Sequence, residues 1–121
     1  MNKKKVIVIG ASTDISRYSN KAVRKLLEND FEVIAVGNKE GTIEDIKILT
    51  EPPLIDNVYG VTLYIAPGIQ KLYYDYIIKI KPGFIFFNPG TYNEELINLA
   101  KQNNINTLEG CTLVALSIGD F

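Results

Sequence analysis

The chain has 121 residues, a formal net charge of -1 and no histidine. This length suits one domain with its own core, and it leaves too little chain for a substrate domain beside a complete nucleotide-binding domain. The small charge gives no overall attraction to nucleic acid or anionic lipid. The lack of histidine excludes catalytic triads, metal sites and acid–base chemistry that depend on histidine. The composition, 46% hydrophobic and 22% charged, is ordinary for a globular protein.

Compartment signals indicate the cytoplasm. The single cysteine, Cys111, has no partner for an internal disulfide, which fits a reducing environment. The basic start of the chain is followed at residues 6–9 by an apolar run that is shorter than the roughly 7–15 residues of a secretion signal. No apolar run approaches the roughly 20 residues of a membrane span. We therefore expect a cytoplasmic protein with no nucleic-acid or membrane partner, and leave a homo-oligomer open.

The first third of the chain predicts a βαβ unit. Residues 6–9 are all β-branched, which favours a strand buried on both faces, and Gly10 ends this run. The apolar spacing within residues 22–27 predicts an amphipathic helix over about residues 18–28. A second strand follows at residues 31–36. Such a unit joins two parallel strands by a right-handed crossover.

The remaining elements follow from the same periodicities. Residues 42–51 suggest a small edge strand, and the apolar tail at residues 111–118 fits either a strand or a helix. Further strands are predicted at residues 59–65, 84–87 and 105–108, and further helices at residues 69–80 and 93–102. The order predicts one α/β domain over residues 1–121, with a Rossmann-like, doubly wound, mostly parallel sheet in a three-layer αβα arrangement.

Four loops of small and polar residues follow the strands of this sheet. Ligands bind doubly wound sheets at the carboxyl ends of the strands, where the strand order reverses. Small residues let the backbone approach a phosphate, and a helix that followed the first strand at once would add its positive end. The candidate ligand-binding residues are Gly10, Ala11, Ser12, Thr13, Arg17, Tyr18, Gly37, Asn38, Lys39, Ala66, Pro67, Asn88, Pro89 and Gly90.

The first loop departs from the dinucleotide fingerprint G-x-G-x-x-G. Ser12 and Ile15 stand where its second and third glycines belong. The second strand also ends without the acidic residue that binds the ribose hydroxyls of NAD. Lys39 instead favours a phosphate near the ribose, as in NADP or coenzyme A (CoA). Glu40 follows directly, so NAD is disfavoured rather than eliminated.

Several candidates also have a purely structural explanation. Lys39 is equally well explained as a solvated loop lysine. Arg17 has two acidic residues within reach along the chain, Asp14 and Glu28, and either would form a surface ion pair with it. Asn88 either braces its own loop or contacts the ligand.

No residue stands out as catalytic. The tyrosines at positions 73, 74 and 76 favour helix packing over stacking on a base. Cys111 favours the role of a small buried apolar residue over that of a nucleophile, because no histidine is present to lower its pKa. No pair of carboxylates at a strand end forms an acid–base couple. We therefore predict neither a catalytic residue nor a metal site.

The order and spacing of these motifs resemble the CoA-binding domain family, which is similar to the N-terminal domain of the succinyl-CoA synthetase alpha subunit. The resemblance covers nearly the whole chain. The residues that carry it are Gly10-Ala11-Ser12, Arg17 and Tyr18, the basic loop at Lys39, Ala66-Pro67, and Asn88-Pro89-Gly90.

The resemblance implies a domain that holds coenzyme A. By analogy, Gly10, Ser12 and Thr13 meet the diphosphate, Lys39 meets a phosphate, and Ala66 with Pro67 meets the pantetheine or adenine side. The synthetase subunit needs a second domain with a phosphorylated histidine, and this chain has no histidine, so we do not expect ligase activity from it alone. The leading hypothesis is a non-catalytic module that binds CoA or an acyl-CoA, as a sensor or as a subunit serving a partner enzyme.

Two other hypotheses stay open. In the first, the chain is the NAD(P)-binding domain of a small oxidoreductase or of an enzyme subunit, with NADP as its cofactor. That hypothesis needs a proton donor beside the nicotinamide, and the candidates are Tyr18, Lys21 and Cys111. Alternatively, the chain is a structural domain whose ligand site has decayed.

Overall fold

The computed structural model describes residues 3–121, which form one sheet covered by helices. The strands within the described residues are β1 (Lys5–Ile9), β2 (Glu32–Val36), β3 (Gly41–Ile43), β4 (Ile46–Leu49), β5 (Val58–Leu63), β6 (Phe84–Phe87) and β7 (Asn106–Glu109). The helices are α1 (Tyr18–Glu28), α2 (Pro67–Gln70), α3 (Tyr74–Ile80), α4 (Glu94–Gln102) and α5 (Thr112–Ser117), with a short 3₁₀ turn (Lys71–Tyr73) between α2 and α3.

The strand order across the sheet is β3-β4-β2-β1-β5-β6-β7. Strand β3 pairs antiparallel with β4, and every other neighbouring pair is parallel. The chain moves outward from β1 through β2 in one direction and from β5 through β7 in the other. The order therefore reverses between β1 and β5, where a doubly wound sheet binds its ligands.

Helices cover both faces of the sheet, which gives the predicted three layers. One face packs its strands against α1 and α5, whose Val23, Leu26 and Leu116 are buried there. The other face packs against α3 and α4 through Ile77 and Leu96. Strand β1 contributes to both clusters because its residues alternate between the two faces, as expected for a central strand. No helix among residues 3–121 is long and apolar enough to cross a membrane.

The α/β Rossmann-like fold is confirmed, two local predictions are corrected, and one open alternative is resolved. Residues 42–51 lie in a hairpin, β3 and β4, rather than in one edge strand, and Glu44 turns the chain with a φ of 53°. The helix predicted at residues 69–80 starts at Pro67 and is interrupted by the 3₁₀ turn. The undecided tail is helical.

The loops that follow β1 and β2 require glycine at one position each. Gly10 has a backbone φ of +100°, which residues with a side chain rarely adopt. A Cβ on Gly37 would lie 2.5 Å from the carbonyl oxygen of Ala11. The loops after β1 and β2 therefore touch through their backbones.

Replacing Gly37 with alanine tests this contact. We expect Gly37→Ala to lower the free energy of unfolding by about 1–3 kcal/mol, because the new methyl group meets backbone rather than a flexible side chain. Urea denaturation measures the change. Gly68→Ala is the matched control, since a Cβ on Gly68 meets nothing within 4 Å. An equal loss in both variants would contradict the proposed contact.

Candidate ligand site

Two adjoining cavities lie at the carboxyl ends of the strands. The first, here called the loop cleft, has a volume of about 310 Å³. Its walls are Gly10, Ala11, Ser12, Arg17, Gly37, Asn38, Tyr64, Ile65, Ala66, Ile69 and Tyr73. The second, the side cavity, has a volume of about 280 Å³. Its walls are Tyr18, Tyr64, Asn88, Pro89, Cys111 and Leu113. Tyr64 belongs to both, so it forms the boundary between them.

The first loop offers hydrogen-bond donors from its backbone. The N–H groups of Gly10 and Ala11 both donate to the carbonyl oxygen of Val36, at 2.8 and 2.9 Å, and are thereby occupied. The N–H groups of Ser12 and Thr13 have no acceptor within the described part of the chain. Helix α1 begins only at Tyr18, so these donors come from the loop itself and not from a helix that follows β1 directly.

The turn after Ser12 is held by short polar contacts. The Ser12 hydroxyl oxygen accepts the Asp14 N–H at 3.1 Å, which leaves its own proton free to donate to a ligand. The Asp14 carboxylate accepts hydrogen bonds from the hydroxyl and the N–H of Ser16, and these lower the pKa of Asp14. Asn20 on α1 donates to the Ser12 carbonyl at 2.8 Å. The loop is therefore shaped before any ligand arrives.

Arg17 supplies the positive charge of the loop cleft. Its side chain is exposed and lines the cleft at the N-cap position of α1. Among residues 3–121, the ion pair with a nitrogen–oxygen distance below 4 Å is the one between Lys3 and Asp30. Arg17 therefore forms no ion pair with Asp14 or Glu28. The guanidinium thus remains available to an anionic ligand.

Asn88 braces the fourth loop from a buried position. Its amide nitrogen donates to the Thr62 hydroxyl at 2.6 Å and to the Leu63 carbonyl at 2.9 Å. Its carbonyl oxygen accepts the Thr112 N–H at 2.9 Å. The Thr62 and Thr112 hydroxyls also bond each other at 2.8 Å. One side chain therefore connects β5, β6 and the start of α5, and both of its N–H donors are committed to the protein.

A second buried amide joins the third and fourth loops. Gln70 is fully buried, and its nitrogen donates to the carbonyl oxygens of Ile65 and Thr91 at 2.9 and 2.8 Å. Its oxygen accepts from the Asn93 amide at 2.9 Å. Asn93 also caps α4 through the Leu96 N–H. Because buried amides are costly to leave unpaired, this network holds the two loops at a constant separation.

Tyr64 is the polar exception among these residues. Its hydroxyl is buried and makes no hydrogen bond within the described residues, although the hydroxyls of Thr62 and Thr112 lie nearby. Burial raises the pKa of Tyr64 to about 12. The group therefore stays protonated near neutral pH, and it is an unused donor at the boundary of the two cavities.

The structure brings most of the predicted residues together. Those that line the loop cleft are Gly10, Ala11, Ser12, Arg17, Gly37, Asn38 and Ala66, and those that line the side cavity are Tyr18, Asn88 and Pro89. Four others, Thr13, Lys39, Pro67 and Gly90, are not among the lining residues of either cavity. Tyr73 packs on the core as expected and also reaches the cleft.

Tyr64, Ile65 and Leu113 are lining residues that the sequence pattern does not reveal. Tyr64 and Ile65 have strand composition and extend an apolar run, yet β5 ends at Leu63. Their position directly before the small-residue loop is the signal that could have found them. Leu113 lies in the tail, whose structure the sequence leaves undecided.

Residues 4–117 match the family model described as the CoA binding domain. No curated protein matches the chain. Among solved structures, an uncharacterised protein is 42% identical over 100% of both chains, with a TM-score of 0.95.

Two more distant structures share the fold. A protein from Thermus thermophilus is 19% identical, with 98% of this chain and 91% of that chain covered and a TM-score of 0.86. A hypothetical protein from Pyrococcus horikoshii is 24% identical, with 96% and 83% covered and a TM-score of 0.83. The fold is that of a Rossmann-like α/β domain. The family match places the chain more narrowly: it belongs to the CoA-binding domain family.

Removing the Asn88 amide tests its role as a brace. We expect Asn88→Ala to lower the free energy of unfolding by about 2–4 kcal/mol, because the Thr112 N–H and the Leu63 carbonyl lose their buried partner. Chemical denaturation measures it. Asn98→Ala, at an exposed position of α4, is expected to stay within about 0.5 kcal/mol of the parent. If the two variants were equally stable, Asn88 would not be the brace.

Proposed function

We propose that this protein binds coenzyme A or an acyl-CoA in the loop cleft, as a cytoplasmic, non-catalytic module that acts as a sensor or serves a partner enzyme. The observation that carries this proposal is a set of unused donors at the loop cleft. The N–H group and hydroxyl of Ser12 and the Arg17 guanidinium belong to lining residues, and the free N–H group of Thr13 follows Ser12 directly in the chain. Membership of the CoA-binding domain family supports the choice of ligand.

The donor set fits the chemistry of coenzyme A. A diphosphate needs N–H and O–H donors with a nearby cation, and the first loop supplies both without a bulky side chain. Gly10 and Gly37 keep the floor of the cleft open to a ligand that lies close to the backbone.

An NADP-dependent enzyme subunit is the second candidate. Tyr18 and Cys111 both line the side cavity, and the Lys21 ammonium lies 5.2 Å from the centre of the Tyr18 ring. A hydride-transfer enzyme needs such a proton donor. Reduction of NADP with mixed alcohol substrates would favour this candidate. The end of β2 favours neither NADP nor CoA, since Lys39 suits the extra phosphate of both.

A thermal-shift panel with CoA, acetyl-CoA, NAD, NADP and FAD tests the ligand. CoA at 100 times its dissociation constant is expected to stabilise the fold by roughly 2.7 kcal/mol. Ser12→Trp is expected to abolish this gain, because the indole fills the cleft beside the free amides. Leu108→Trp, at an exposed position of β7, is the control and keeps the shift. A shift with NADP and none with any CoA species would contradict the proposal.

Lys39 is tested through the phosphate on the ribose. If Lys39 contacts that phosphate, Lys39→Gln should weaken CoA binding about tenfold and leave dephospho-CoA binding unchanged. Arg17→Gln should weaken both ligands, since both carry the diphosphate. Lys101→Gln on α4 makes the same change in net charge away from the site. Titration calorimetry of each variant gives the ratios, and a uniform loss with all three would indicate only a general charge effect.

A further inference from the structure

The side cavity differs in chemistry from the loop cleft that it adjoins. None of its six lining residues, Tyr18, Tyr64, Asn88, Pro89, Cys111 and Leu113, is an aspartate, glutamate, lysine or arginine. Both N–H donors of the Asn88 amide are already bonded to Thr62 and Leu63. The lining residues therefore favour an apolar group over a carboxylate, which would form an ion pair with none of them. A cation, the Lys21 ammonium, lies 5.2 Å from the centre of the ring of Tyr18, an exposed residue of this wall.

The position of the side cavity relates it to one end of the ligand. Tyr64 forms a wall of both spaces, and the anion donors lie in the loop cleft. A ligand held there by its phosphates has its other end free to pass Tyr64. In an acyl-CoA that end is the thioester and its acyl chain.

The volume of the side cavity limits the length of this chain. It measures about 280 Å³. A closed apolar cavity of about 150 Å³ is enough to hold benzene. The space therefore accommodates a thioester with a few carbon atoms, and a long fatty-acyl chain would project into solvent.

We propose that the side cavity binds the acyl group of a short, uncharged acyl-CoA, so that the protein selects such thioesters over those that end in a carboxylate. The proposal rests on the proposed function, because the phosphates of the same ligand must occupy the loop cleft. The protein is then a receptor for one class of acyl-CoA.

Cys111 reports directly on occupancy of the side cavity. It lines the cavity, is half-buried and is the single cysteine of the chain, so an alkylating reagent labels one known position. The experiment measures the rate of Cys111 alkylation by intact-protein mass spectrometry. Saturating butyryl-CoA is expected to slow alkylation about tenfold or more, since a bound acyl group blocks access to the thiol. The nucleotide half of coenzyme A, 3′-phospho-ADP, is expected to bind without slowing it.

A variant that fills the side cavity distinguishes binding of the acyl group from binding of the nucleotide. In the parent, titration calorimetry is expected to show at least about tenfold tighter binding of butyryl-CoA than of succinyl-CoA. Leu113→Trp should remove this preference and leave binding of 3′-phospho-ADP within about twofold. Val114→Trp is the matched control, because Val114 is the next residue of α5 and points to solvent. It should keep both properties.

Two results would overturn the inference while the proposed function stands. The first is unchanged Cys111 alkylation with butyryl-CoA bound, and the second is equal binding of butyryl-CoA and succinyl-CoA to the parent. A parent that binds neither 3′-phospho-ADP nor any acyl-CoA would overturn the proposed function and this inference together. Unfolding curves of the two tryptophan variants confirm that each is folded before binding is compared.

Discussion

The side-chain amide of Asn88 is the contact on which the ligand edge of this fold depends. It joins β5 through Thr62 and Leu63 to the first N–H of α5 at Thr112, at 2.6–2.9 Å and out of contact with water. In a low-dielectric interior, breaking any of these bonds leaves an unpaired polar group. The bonds therefore hold β5, the loop after β6 and the start of α5 in a fixed arrangement. Gln70 does the same for the loops after β5 and β6. The two amides thus fix the walls of both cavities in advance, which lowers the entropy cost of binding.

This preorganisation explains why the edge is built from polar side chains that contact protein rather than ligand. Asn88 and Gln70 use their amides on carbonyl and N–H groups, and the first loop is shaped by Ser12, Asp14 and Asn20. What remains for a ligand is backbone N–H, one hydroxyl and the Arg17 guanidinium. Such a surface suits the proposed ligand, an extended anion held by shape and by a few donors. Because the Asn88 amide is used in the same way, the neighbouring side cavity has few free donors.

Local periodicity predicts the elements of this fold well, and long-range contacts decide the rest. The stripe of apolar residues in α1 and the β-branched run of β1 carry their structure in neighbouring residues, so both are read correctly from the sequence. Helix α5 is mostly apolar without a clear period, and its first residue, Thr112, bonds a hydroxyl fifty residues away in the chain, which no local pattern predicts. Tyr64 has the composition of a strand, and its place at the site follows from where the hydrogen bonds of β5 stop. Loop composition predicts a ligand edge, and the structure shows two cavities there, whose apolar lining residues Ile65 and Leu113 the composition does not predict.

A competition measured by native mass spectrometry tests the central claim most directly. The protein is mixed with equal amounts of CoA, NAD and NADP, and the bound species are weighed for the parent and for Ser12→Trp. Binding at the loop cleft predicts that the CoA complex dominates in the parent and is lost in the variant. A dominant NADP complex, or a CoA complex that survives the substitution of Ser12, would contradict it.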